Sequence, residues 1–204
     1  MKLYDADWAP NPRRVRIFLD EKQFELPRVA VDLKAGMHLQ PDFADINPLQ
    51  RVPVLELDDG TRISESVAIC RYIEEICPNP PLFGRDAKDR ALVEMWNRRI
   101  EFGLMQPVGF AFRHLHPGMA RAEVPQVPEW GEANKPKAIA FLEFLDRQLG
   151  DRLFVAGQHF SIADITLLVA FDFMRTARLS CPEGCGNLLR WHADISARPS
   201  AQAK

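Results

Sequence analysis

The chain has 204 residues, 47% of them hydrophobic and 26% charged, with a formal net charge of −2. That near-neutral balance implies no polyanionic partner, so nucleic acid is not expected. The length suffices for a substantial buried core, and no apolar run approaches the roughly 20 residues that span a bilayer, so no membrane partner is expected either. The polar N-terminus carries a strand pattern and not that of a signal peptide, which points to the cytoplasm. In that compartment the four cysteines, Cys70, Cys77, Cys181 and Cys185, are expected as reduced thiols.

Lys2–Ala6 alternates and reads as a first strand. Pro12 suits the first turn of a helix, and Val15, Phe18 and Leu19 recur at helical spacing up to about Lys22. Pro27–Leu33 reads as a second strand, and Pro41–Ile46 as a short helix or turn. Val54–Leu57 and Arg62–Ser64 form a hairpin around Asp59-Gly60, and Val67–Ile76 follows as a helix with Cys70 on its apolar face. The prolines of Pro78-Asn-Pro-Pro81 mark a linker. Beyond Asp86 no strand is evident; residues 87–115, 134–150 and 162–178 are helical by period, and Gly118–Gly131 is a loop or a helix break. Ser161-Ile-Ala-Asp164 before an apolar run is a capping box, a structural feature and not a catalytic one. Cys181-Pro-Glu-Gly-Cys185 has no second pair or histidine at ligand spacing, so no metal site is expected there.

Residues 47–72, NPLQRVPVLELDDGTRISESVAICRY, carry the functional signal. Proline cannot donate to a strand ladder, so Pro53 belongs at the start of its strand. A cis Val52-Pro53 bond would leave the N–H and C=O of Val52 facing outward, free to pair with an extended peptide. Ser66 sits where a helix begins, and helix N-termini favour a carboxylate. Glu65 beside it can accept from an ammonium group. Together these groups suit a small peptide with a free amine and carboxylate at one end.

This block resembles the glutathione site of the glutathione transferase family. The shared pattern falls here on Asn47-Pro48, Arg51-Val52-Pro53, Leu55, Glu65-Ser66 and Ala68-Ile69. KLYDADWAPNPRRVRIFLDEK resembles that family's first strand and helix, and HFSIADITLLVAF its C-terminal capping motif, so the likeness covers the whole chain. It implies an α/β thioredoxin-like N-terminal domain over 1–79, a linker over 80–86, and an all-α domain over 87–204 that contributes a hydrophobic substrate pocket. It also implies a homodimer, with glutathione as cosubstrate and no metal.

By the same resemblance, Val52, ahead of Pro53, pairs with the cysteinyl unit of glutathione, and Glu65 and Ser66 hold its γ-glutamyl end. Theta-like members have a histidine and a basic residue at the spacing of His38 and Arg51, which places these two at the glycine carboxylate. The serine position of theta-like members falls on Ala9, which has no donor. The first loop keeps the Pro-Asn of nu-class bacterial members, so Asn11 is the nearest side-chain donor for a thiolate, although it cannot act as a base. The alternative role for Asn11 is an N-cap before Pro12. The electrophile pocket is expected from Trp8 and Ala9 and, on the first long helix of the second domain, from Met105, Phe110 and Arg113. The implied activity is thiolate stabilisation for attack on a small hydrophobic electrophile. A glutathione-dependent disulfide reductase or peroxidase, and a non-catalytic glutathione-binding or interaction module, are the alternatives.

Overall fold

In the computed structural model, which describes residues 1–203, the first of two units is built on a mixed four-stranded sheet. Its elements are β1 (Lys2–Asp5), α1 (Pro10–Glu21), β2 (Arg28–Ala30), a 3-10 turn (Met37–Leu39), α2 (Pro41–Ile46), β3 (Val54–Glu56), β4 (Arg62–Ser64) and α3 (Ser66–Ile76). The strand order is β2-β1-β3-β4, with β1 parallel to β2 and antiparallel to β3. Successive side chains of a strand point to opposite faces. Tyr4 and Val54 therefore share one face, where they pack with Val31 and with Phe43 of α2. Leu3 and its partner Leu55 occupy the other face and are fully buried. This is the thioredoxin-like arrangement that the element order predicts.

β2 is shorter than the Pro27–Leu33 expected, and it is an exposed edge strand. The Asp32 carboxylate accepts the N–H groups of Lys34 and Ala35 at 2.9 and 3.0 Å, which turns the chain away from the sheet.

The second unit is helical: α4 (Ala87–Ile100), a π turn (Glu101–Met105), α5 (Gln106–Leu115), a 3-10 turn (Pro117–Met119), α6 (Pro128–Leu149), α7 (Ile162–Phe173) and α8 (Gly186–Ser196). The helix expected over 87–115 runs on through the π turn. Pro107 has no N–H to offer the carbonyl four residues back, so the register widens there. α6 begins at Pro128, inside the stretch expected as a loop, because proline is favoured in the first turn. α7 stops at Phe173, short of 178. α8 has no counterpart in the sequence reading, although Leu188, Trp191 and Ile195 recur at helical spacing and are buried.

Ser161 and Asp164 form the capping box at the start of α7. Residues 199–203, assigned by sequence to the helical domain, lie with the first unit. There Arg13 Nη2 donates to the Ala201 carbonyl at 3.2 Å, and the Ser200 hydroxyl donates to Glu21. Among the described residues no helix is long and apolar enough to cross a membrane.

Candidate functional site

Asn47 shapes the loop before β3. Buried at the end of α2, it accepts the Leu49 N–H at 3.1 Å and donates to the Arg51 carbonyl at 2.9 Å. Gln50 takes φ 52°, the left-handed conformation that completes the turn. The chain then reaches a cis Val52-Pro53 bond. Among the described residues, the N–H and C=O of Val52 have no backbone hydrogen-bond partner.

Glu65 is the residue before α3. It is exposed and holds φ 68° and ψ 114°, a conformation costly for a residue with a Cβ. Strain of this kind persists where the surrounding structure overdetermines it, commonly at ligand sites. Ser66 opens α3 and is buried; no side chain caps the helix. Its Oγ accepts from Arg14 Nη1 at 2.7 Å. Accepting from that guanidinium leaves the Ser66 hydroxyl proton free to be donated, and the first amides of α3 lack intrahelical acceptors. Arg14 is not singled out by the sequence reading. Its signal is its place one turn before Phe18, on the buried face of α1.

His38 lies in the Met37–Leu39 turn and is half-buried. Its Nδ1 is buried with no hydrogen-bond partner. Burial, then the positive charge of Arg51, lowers its pKa below the ordinary histidine value. The two residues thus share one electrostatic environment, and an anion placed between them would reverse the second of those effects.

The first loop is pinned by Arg16. It pairs with Asp5 at 2.7 Å and donates to the carbonyls of Ala6 at 3.3 Å and Asp7 at 2.6 Å. Ala9, buried, is the N-cap of α1, so Asn11 is not. The N-cap role considered for Asn11 fails because Pro10, and not Pro12, opens the helix. Asn11 is instead the second helical residue and is exposed. Pro10 and Pro12 have no N–H, so the amide of Asn11 is the one backbone donor among the first three positions of α1. Trp8 is half exposed.

In the second unit, Met105 lies in the π turn and Phe110 packs its ring 5.8 Å from that of Trp130. Arg113 is paired with Glu123 at 3.0 Å. Among the described residues, no group of three or more His, Cys, Asp or Glu side chains is disposed to hold a metal ion.

Two family models match the chain: the glutathione S-transferase N-terminal domain over residues 1–75 and the glutathione S-transferase C-terminal domain over residues 117–199. Glutathione S-transferase 2 of Saccharomyces cerevisiae is 38% identical over 205 residues, covering 99% of this chain and 88% of that protein. The crystal structure of a glutathione S-transferase domain-containing protein from Marinobacter aquaeolei superposes with a TM-score of 0.94 at 41% identity, covering 98% of this chain and 99% of the other. That of Gtt2 from Saccharomyces cerevisiae gives a TM-score of 0.94 at 38% identity, over 98% of each chain. With the thioredoxin-like sheet and the helical second unit, these likenesses identify the chain as a member of the glutathione S-transferase family.

Proposed function

We propose that the chain binds glutathione in its first unit and stabilises the thiolate for attack on a small hydrophobic electrophile, acting as a cytoplasmic homodimer. The observation that carries this reading is the unpaired backbone of Val52, presented just before β3 and in the same unit as the strained Glu65 and the uncapped start of α3. An extended tripeptide supplies what each group lacks. Its cysteinyl N–H and C=O pair antiparallel with Val52. Its γ-glutamyl carboxylate accepts from the Ser66 hydroxyl and the first amides of α3, and its ammonium donates to Glu65. Its glycine carboxylate lies with His38 and Arg51, and a guanidinium fork suits that group. The sulfur then falls to Asn11, whose side-chain amide and backbone N–H are both donors.

Asn11 can hold a thiolate but cannot take its proton, so the thiol ionises to solvent. That chemistry serves conjugation. It also serves glutathione-dependent reduction of a disulfide or peroxide, a second reading favoured by the absence of any hydroxyl or thiol at Ala9. Titration calorimetry with glutathione tests the site. Ser66→Ala is expected to weaken binding by about 1–3 kcal/mol, the worth of a charge-assisted hydrogen bond. Unchanged affinity in both Glu65→Ala and Ser66→Ala would falsify the placement.

A further inference from the structure

Asp5 and Arg16 form a buried ion pair to which the reading above gives no role in the chemistry. Arg16 lies in the middle of α1. Helical side chains lean toward the N-terminus of their helix, so Arg16 reaches back over the loop that precedes α1. Its Nη1 donates to Asp5 Oδ1 at 2.7 Å and to the Ala6 carbonyl at 3.3 Å, and its Nη2 to the Asp7 carbonyl at 2.6 Å. The Ala6 carbonyl also accepts the Ala9 N–H at 3.1 Å. The Ala9 carbonyl in turn accepts the Arg13 N–H at 3.2 Å, the bond that opens α1. One guanidinium therefore holds the loop from Ala6 to Ala9 and, through Ala9, the start of the helix. Beside it, Arg28 Nη1 donates to the second carboxylate oxygen of Asp5 at 3.2 Å, from a partly exposed position.

Arg16 Nε is buried without an acceptor among the described residues. A buried cation with a stranded donor costs free energy that an apolar side chain of similar volume would not. What the guanidinium supplies is geometry. The Asn11 N–H is the one backbone donor among the first three positions of α1, so its place depends on where the helix begins. We propose that Arg16 is a positioning residue for the glutathione thiolate, acting through the Ala6 and Asp7 carbonyls on the placement of Asn11. This role rests on the reading that the glutathione sulfur falls to Asn11.

The shape of the cation carries this role, and not its charge alone. Nη1 and Nη2 face separate acceptors at a separation fixed by the planar group: the Asp5 carboxylate on one side and the Asp7 carbonyl on the other. A lysine here keeps a positive charge near Asp5, but one ammonium on a flexible stem cannot reproduce the fork. Arg16→Lys therefore separates position from field. A donor moved away from the sulfur holds the thiolate less well, and the thiol keeps its proton to higher pH. A misplacement of about 1 Å can cost about 10²-fold in rate.

The experiment follows the thiolate absorbance of bound glutathione against pH in the intact chain, with S-methylglutathione as a ligand that has no thiol. In Arg16→Lys the apparent pKa of bound glutathione should rise by about 1, and conjugation of a model electrophile should slow about tenfold below the wild-type pKa. The two rates should converge above the raised value, whereas a loss of folded protein lowers the rate equally at every pH. Affinity for S-methylglutathione should keep its wild-type value, because Val52, Glu65 and Ser66 are untouched. Asp5→Asn, which leaves Arg16 an acceptor without a charge, should shift the thiol in the same direction and by less. Arg28→Gln should shift nothing, since it leaves both loop carbonyls held by Arg16. The role of Arg16 is overturned if Arg16→Lys keeps the wild-type pKa, if Asp5→Asn does so where Arg16→Lys does not fold, or if Arg28→Gln raises the pKa as far as Arg16→Lys does. A wild type that binds neither ligand removes the glutathione reading itself, and this role with it.

Discussion

Replacing Asp164 tests how the helical unit is held together. Its carboxylate is fully buried and accepts four donors: the Val155 N–H at 2.8 Å, the Ser161 N–H and hydroxyl at 3.0 Å each, and Trp191 Nε1 at 3.2 Å. It thus joins the segment before α7, the first turn of α7, and α8. In Asp164→Ala three N–H donors keep their positions and lose their acceptor; only the Ser161 hydroxyl can rotate away. Each stranded buried donor costs about 1–3 kcal/mol, and the losses are not additive, so a total of about 3–5 kcal/mol is expected. Asp164→Asn keeps the shape but replaces one oxygen by an NH₂ group that faces donors, for about 1–3 kcal/mol.

Urea unfolding followed by tryptophan fluorescence measures this, since Trp96, Trp130 and Trp191 all belong to the helical unit. Burial raises Asp164 to about 6 from its ordinary 3.8, against the lowering effect of its hydrogen bonds. Because the folded value lies above the unfolded one, this group's contribution is fully present below pH 3.8 and is lost as pH rises through 6. The difference is about 3 kcal/mol, and Asp164→Asn should lack it. An Ala variant within about 0.5 kcal/mol of wild type would refute the network argument, because that is the level of an ordinary surface change.

Asn11→Ala should raise the apparent pKa of bound glutathione and slow a model conjugation by up to about 10²–10³-fold, less if the remaining backbone N–H of residue 11 suffices. Full activity with an unchanged pH profile would remove Asn11 from the mechanism. For His38, NMR titration should show a pKa below the usual histidine value in the free protein and a rise on binding glutathione, so that binding takes up protons and tightens as pH falls through the histidine range. No movement of the His38 resonances on binding would place the glycine carboxylate elsewhere. Arg14→Met should weaken glutathione binding in the same sense as Ser66→Ala if the guanidinium polarises that hydroxyl, and the double variant should then be less than additive. Full additivity, read by calorimetry, would show that the two act separately.

Local chemistry in the sequence determined the order of the first unit. Asp59-Gly60 marks its hairpin, prolines open α1 and α2, and the Val-Pro step and the Glu-Ser pair sit at the strand start and helix start where short-range rules put them. The capping box and the unbroken run from 87 to 115 followed from local pattern as well. Tertiary structure alone decided the rest. Arg14 and Arg16, not singled out by the sequence reading, are buried because Ser66 and Asp5 arrive as partners. α8 is held by tertiary contacts such as the Trp191 bond to Asp164. The last residues return to α1 through hydrogen bonds to Arg13 and Glu21. The early stop of β2 depends on an Asp32 turn, and the first helical amide of α1 is isolated only because the helix starts at Pro10. In each case the deciding energy lies in a contact between residues that no short window of the chain contains, or in a boundary set by one hydrogen bond, and neither leaves a periodic trace in the sequence.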